Sequence, residues 1–259
     1  MEAPALKEVA IHRDAPQDQA SGLRELFAPA APPRFHALSC PRREAIVLPI
    51  AQVLAHALVE RGLNIAWIDE FDLSLRQDWP LPCPVRFDLS QSLMNHVPLA
   101  SGLQSLNPHL WYALSRRLAR VPAKVFPTLM QRLQDSGIVF DRVLVCLATA
   151  MGRSLHHYHD AIHHTVLTAC GQDDLKQTSD WMVKMQSQQR AASWSVVLVG
   201  GDADQTAFDR LAATVEPLLG QSVQLLGHVS SQFPQGALSS AWEHPLELRD
   251  LILAHICQS

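Results

Sequence analysis

Five of the chain's thirteen histidines crowd into Leu155-His-His-Tyr-His-Asp-Ala-Ile-His-His164. Read as a helix, this segment sets His159 and His163 one turn apart, with Asp160, His156 and His164 on a neighbouring face. Such spacing could hold zinc if another element supplied a further ligand. The order is not His-Glu-x-x-His, however, and no carboxylate base stands between paired histidines. The expectation is a polar helix face titrating near pH ~6.5, and no resident metal is assigned.

Nucleophilic catalysis finds no support either. There is no Gly-x-Ser-x-Gly, and Cys40 and Cys146 fall on or beside apolar strand candidates, where a cysteine acts as a small core residue. Phosphate chemistry would belong to the first strand–loop–helix turn. There Phe35–Ser39 is followed by Cys40–Leu48 and by a helix opening at Pro49, and Arg42-Arg-Glu-Ala-Ile-Val-Leu48 contains no glycine. A phosphate cradle needs glycines so that successive backbone N–H groups can turn inward. Glu44 places a carboxylate near the helix N-terminus, where it satisfies the helix dipole itself and repels an anion. Pro49 suits a purely structural helix start.

The elements that position these residues alternate. Apolar runs at 35–39, 64–68, 142–147, 165–169, 195–199 and 223–226 read as strands, and patterns at 49–61, 123–135, 174–188 and 203–219 read as amphipathic helices. The strand runs are continuously apolar, as parallel strands buried on both faces are. The expected fold is α/β, a doubly wound, mostly parallel sheet flanked by helices. A last helix, about 245–257, is expected to dock on the sheet; its polar side carries Glu247 and Asp250 with only Arg249, a poor match to anionic lipid. Trp181, Met182 and Met185 read as helix core. Residues 34–259 form this domain, and residues 1–33 form an arm: a short helix at 18–27, with Leu23, Leu26 and Phe27 on one stripe, then the Pro/Ala-rich linker 28–33.

Composition narrows the class. With 47% hydrophobic and 18% charged residues and a net charge of −4, the chain is neither disordered nor a phosphate-backbone binder. The longest apolar stretch, 46–59, is broken by Pro49, Gln52 and His56 and falls short of the ~20 residues a membrane span needs. The N-terminus does not read as a signal peptide, and five scattered cysteines fit a reducing cytoplasm.

The layout of strand, loop, helix ending Glu60-Arg61-Gly62, and strand Leu63-Asn-Ile-Ala-Trp-Ile-Asp69 resembles the MinD/ParA family of deviant Walker ATPases. The resemblance places the family's phosphate loop on residues 42–48. Val47 then stands at the phosphate-binding lysine and Leu48 at the magnesium-binding Ser/Thr, with Arg42 the possible substitute for the signature lysine. Asp69, Glu70 and Asp72 partly match the family's acidic pair, and Cys146 stands at the Walker B aspartate. The resemblance so read implies a pseudo-ATPase, with ATP and magnesium binding lost or weak and no catalysis of its own.

Asp18-Gln-Ala-Ser-Gly-Leu-Arg24 resembles the DQAxxLR motif in the arm of FlhG-type (FleN, YlxH) proteins, MinD-like regulators of flagellar number and placement. In that family the arm binds FlhF, a GTPase of the signal-recognition-particle type, and stimulates its GTP hydrolysis. The resemblance implies that Gln19 helps position the attacking water and that Asp18 caps the arm helix. Ala20 lies within the motif, Leu23 supplies docking surface, and Arg24 is suited to acidic or phosphate groups. The expected partner is therefore an FlhF-type GTPase, with other flagellar or polar-assembly proteins as further candidates, and the expected location is the cytoplasm, with recruitment to the cell pole through a partner. Two alternatives stand beside this: a nucleotide-independent scaffold for another polar system (pilus or cellulose secretion), and an ATPase using Arg42 with Asp69 and Asp72.

Overall fold

The computed structural model describes residues 32–71, 81–116, 132–133, 137–148, 162–188, 193–200, 205–229 and 245–258. The arm through Ala31, Asp72, His159 and most of the helix expected at 123–135 lie outside the described residues.

Strand β1 (Arg34–Ser39) leads through a single 3₁₀ turn (Glu44–Ile46) into helix α1 (Val47–Glu60) and strand β2 (Ile65–Asp69). Two short helices, α2 (Leu89–Leu93) and α3 (Leu99–Gly102), precede the hairpin of β3 (Gln104–Asn107) and β4 (Leu110–Leu114). The chain continues as β5 (Arg142–Cys146), β6 (Ile162–Ala169), α4 (Gln172–Gln188), β7 (Ser193–Val199), α5 (Gln205–Leu219), β8 (Val223–Val229) and α6 (Pro245–Gln258). The strands lie in the order β3-β4-β2-β5-β1-β6-β7-β8, and only β3 runs antiparallel to its neighbour.

A parallel sheet exposes two apolar faces, and both are covered. On one side Leu54 and Leu58 of α1 and Leu248, Ile252 and Ile256 of α6 pack on Trp67, Leu144, Leu167 and Val197. On the other, Trp181, Met182 and Met185 of α4 and Leu211 and Val215 of α5 pack on Val143, Val145, Val166 and Val196. The doubly wound sheet read from the sequence is thus the observed fold, and Trp181, Met182 and Met185 are core residues as expected. The last helix docks on its own domain. Gly227 of β8 lets it come close, since a Cβ there would meet Leu251 Cδ2 at 2.8 Å.

Three readings of the elements change. The expected strands omitted β3 and β4: Gln104–Asn107 is polar, and Leu110–Leu114 is a run of only five residues. Helix α1 begins at Val47 rather than Pro49, because Ile46, Val47 and Leu48 are drawn into the core at 3%, 0% and 1% exposure. Pro49 is then the third helical residue, still inside the turn whose N–H groups have no intrahelical acceptor. Finally, β6 begins at Ile162, so His163 and His164 are strand residues and the helical spacing of His163 with His159 does not apply. His164 is fully buried and stacks on Trp194 with ring centroids 4.4 Å apart, a burial that overrides the polar appearance of the segment.

No helix among the described residues is long and apolar enough to cross a membrane. Because α6 seals one face, Ile252→Ala is expected to destabilise the domain by about 2–4 kcal/mol in urea unfolding, as deletion of a fully buried aliphatic side chain does.

Candidate functional site

In open α/β sheets, ligands bind beyond the carboxyl ends of the strands where the winding reverses. Here that point is β1, with β5 on one side and β6 on the other. Ser39 at its end is fully buried, with no hydrogen-bond partner for Oγ. Cys40 is also buried, and burial pushes its thiol up to about 12, so it is no nucleophile at neutral pH.

The turn that follows does not present phosphate ligands. Arg42 Nη1 donates to Asp174 Oδ2 at 3.2 Å, tying the loop to the first turn of α4. Glu44 opens the 3₁₀ turn, and no side chain caps it. Val47 and Leu48 sit within the apolar layer between α1 and the sheet. The residues present therefore do not fit a magnesium nucleotide: the two positions offer neither an ammonium nor a hydroxyl, and a carboxylate stands at the helix entrance.

At the neighbouring strand ends, two residues are held by internal contacts. Asp69 and Cys146 are register partners on β2 and β5. Asp69 is fully buried; its Oδ2 accepts the Tyr112 hydroxyl at 2.8 Å and its Oδ1 accepts the Phe71 N–H at 2.9 Å. Cys146 Sγ accepts the Trp67 Nε1–H at 3.1 Å, and Trp67 meets Tyr112 edge-on with ring centroids 5.1 Å apart. This network of β2, β4 and β5 side chains fixes the carboxylate instead of offering it to a metal or water.

The structure thus brings Asp69 and Cys146 together, joins Arg42 to α4, and places Val47 and Leu48 in the core. Asp18, Gln19, Ala20, Leu23, Arg24, Asp72 and His159 lie outside the described residues, and His163 lies on β6. No group of three His, Cys, Asp or Glu side chains among the described residues is placed to hold a metal. Sequence reasoning missed Asp174 as the partner of Arg42 and Tyr112 as the partner of Asp69. The consecutive Asp173-Asp174 opening α4 was the signal available for the first; nothing local signals the second, whose partner comes from an overlooked strand.

Two stability changes follow. Asp69→Ala strands a buried hydroxyl and a buried N–H, and should cost about 1–3 kcal/mol in chemical unfolding. Arg42→Ala removes an ion pair whose arginine is 44% exposed, and should cost less than about 1 kcal/mol in the same measurement.

No protein-family model and no curated protein matches the sequence. Solved structures do match. The chain is similar to MinD in the MinC:MinD cell division complex of Aquifex aeolicus, at 12% identity and TM-score 0.53, over 77% of this chain and 82% of that one. It is similar to a plasmid partition protein of Borrelia burgdorferi bound to AMPPNP, at 10% identity and TM-score 0.56, over 88% and 100% of the two chains. It is also similar to an ATP complex of Cyanothece McdA, at 13% identity and TM-score 0.54, over 78% and 85%. At these identities the likeness is one of fold, and the fold, an eight-stranded and mostly parallel sheet between two helical layers, is that of the MinD/ParA ATPases.

Proposed function

We propose that this protein is a spatial regulator of the FlhG kind that works through a protein partner and without a nucleotide switch of its own. Its arm engages an FlhF-type GTPase and stimulates GTP hydrolysis, and through that partner it governs the number or placement of flagella. The observation that carries this reading is Asp18-Gln19-Ala20 with Leu23-Arg24, standing ahead of a domain with the MinD/ParA fold. Protein partnership also suits the fold, since MinD of Aquifex aeolicus was solved together with MinC.

Val47 and Leu48 in the core, Glu44 at the helix entrance and Asp69 held by Tyr112 support the second half of the proposal. The glutamine of the arm then carries the chemistry, in trans. Its amide donates and accepts at once, which lets it orient a water in a partner's active site.

GTP turnover by the FlhF-type GTPase of the same organism, with the full-length protein added, tests the first half. Acceleration of tenfold or more that Gln19→Ala removes is the expected outcome. No acceleration beside a tight complex would overturn it in favour of a scaffold. The second half is tested by thermal unfolding: magnesium-ATP at ~1 mM should leave the melting temperature unchanged, because a ligand raises it only by binding the folded state.

A further inference from the structure

Near the amino ends of β1 and β6, three histidines stand in a row beneath the end of α6. His36 of β1 is 3% exposed, and neither of its ring nitrogens has a hydrogen-bond partner. His163 of β6, its register partner, lies 5.7 Å away between ring centroids. Its Nδ1 lies 2.7 Å from Ser193 Oγ, and its Nε2 lies 2.8 Å from Ser195 Oγ and 2.9 Å from Nε2 of His255 on α6. A polar patch of this kind is out of place under a helix whose other inward residues, Leu248, Ile252, Leu253 and Ile256, are aliphatic. We propose that His36, His163 and His255 form an acid-sensitive latch that holds α6 on the sheet and lets it go as they take up protons.

The chemistry lies in the pair of Nε2 atoms. At 2.9 Å one imidazole must donate and the other accept, which a neutral or singly protonated pair can do. With both rings cationic, both nitrogens are donors and the contact turns repulsive.

Surrounding groups work in the same direction. Arg34 and Arg142 open β1 and β5 side by side, and Arg142 Nη2 reaches the Ile256 carbonyl of α6 at 3.4 Å. The carboxylate of Asp141, which acts on Arg142, accepts the Asn64 N–H at 2.7 Å. Just past α1, Arg61 donates to the Cys257 thiol at 2.8 Å, while His56 and Glu60 of α1 are exposed. On α6, Arg249 pairs with Asp250, and Glu247 is exposed a further turn toward the helix start. From β7 come the hydroxyls of Ser193 and Ser195, and from β8 the amide of Gln224, which with His163 and His255 lines a cavity of about 660 Å³. His164 points to the opposite face, against Trp181 and Trp194. Among the described residues, guanidinium groups thus flank the row and no carboxylate faces it.

Burial, helped by the other two histidines and the two arginines, pushes His36 down to about 3. Burial and His255 push His163 down to about 4, and burial lowers His255. A histidine with a lowered folded pKa is neutral in the docked state, so its contribution to docking is complete above the ordinary value of 6.5. It is lost as pH falls from 6.5 toward the docked value, at about tenfold per pH unit for each histidine.

Hydrogen exchange of the full chain from pH 7.5 to 5, corrected for the intrinsic pH dependence, tests this. At pH 5.5 the amides of α6 should exchange about tenfold faster, for each histidine released, than at pH 7.5. Those of β1 and β5 should keep their protection, and His255→Gln should flatten the α6 profile below pH 6.5. Protection of α6 that ignores pH, that falls in step with β1 and β5, or that is unchanged in slope in the variant would overturn the latch. Should the variant not fold, the wild-type comparison of α6 with β1 and β5 decides alone.

Discussion

Everything in this domain depends on covering both faces of β1, β5 and β6 at once. Most side chains along these strands are buried on both faces, so they must find partners in one helical layer or the other. On the α4–α5 side the requirement is met by large side chains, with Trp181 and Trp194 meeting edge-on at 5.9 Å between ring centroids. On the other side α1 covers only part of the sheet, and α6 closes the remainder. The last helix is therefore structural cover. That explains why its aliphatic stripe is inward and its acidic residues are outward, without appeal to a lipid surface.

That constraint also accounts for the two ends of the sheet. At the carboxyl edge, positions that the MinD/ParA resemblance assigns to polar ligands hold Val47, Leu48 and Cys146, all fully or almost fully buried. Once the cradle is apolar, the packing of α1 against the sheet extends to its first turn. At the opposite edge, polar side chains persist under α6. They are tolerated because hydroxyls of Ser193 and Ser195 serve His163, while His36 remains without partners. A buried imidazole without a partner is stable only while neutral.

The fold was legible because its signal is redundant. Continuous apolar strands and helices with one apolar stripe repeat along the chain, and an error in one element leaves the order of the others intact. The boundaries were less so. Val47 and Leu48 extend α1 because the core draws them in, and His163 and His164 are strand residues because Trp194 and α6 cover them; neither cause is local. The candidate site was half legible. Residue types at 42–48 and at 146 can be read directly: the missing glycines, Val47, Leu48 and Cys146 are all visible in the sequence. The role of Asp69 could not be read. A carboxylate at a strand end looks the same in sequence whether it faces solvent or, as here, accepts Tyr112 from β4.

Asp69 shows how a residue of apparent chemical purpose becomes a structural one. Its two acceptor bonds tie β2 to β4 and to the turn at Phe71, and both oxygens point into the interior. A magnesium site needs the reverse, a carboxylate free to exchange water and held near a phosphate. Releasing Asp69 for such work would leave the Tyr112 hydroxyl and the Phe71 N–H buried without acceptors, at a cost of about 1–3 kcal/mol. Under the proposed function that exchange is unnecessary, because hydrolysis takes place on the partner and the side chain required is a glutamine on the arm. The domain is then free to be optimised for packing, and Val47, Leu48 and Cys146 are packed accordingly.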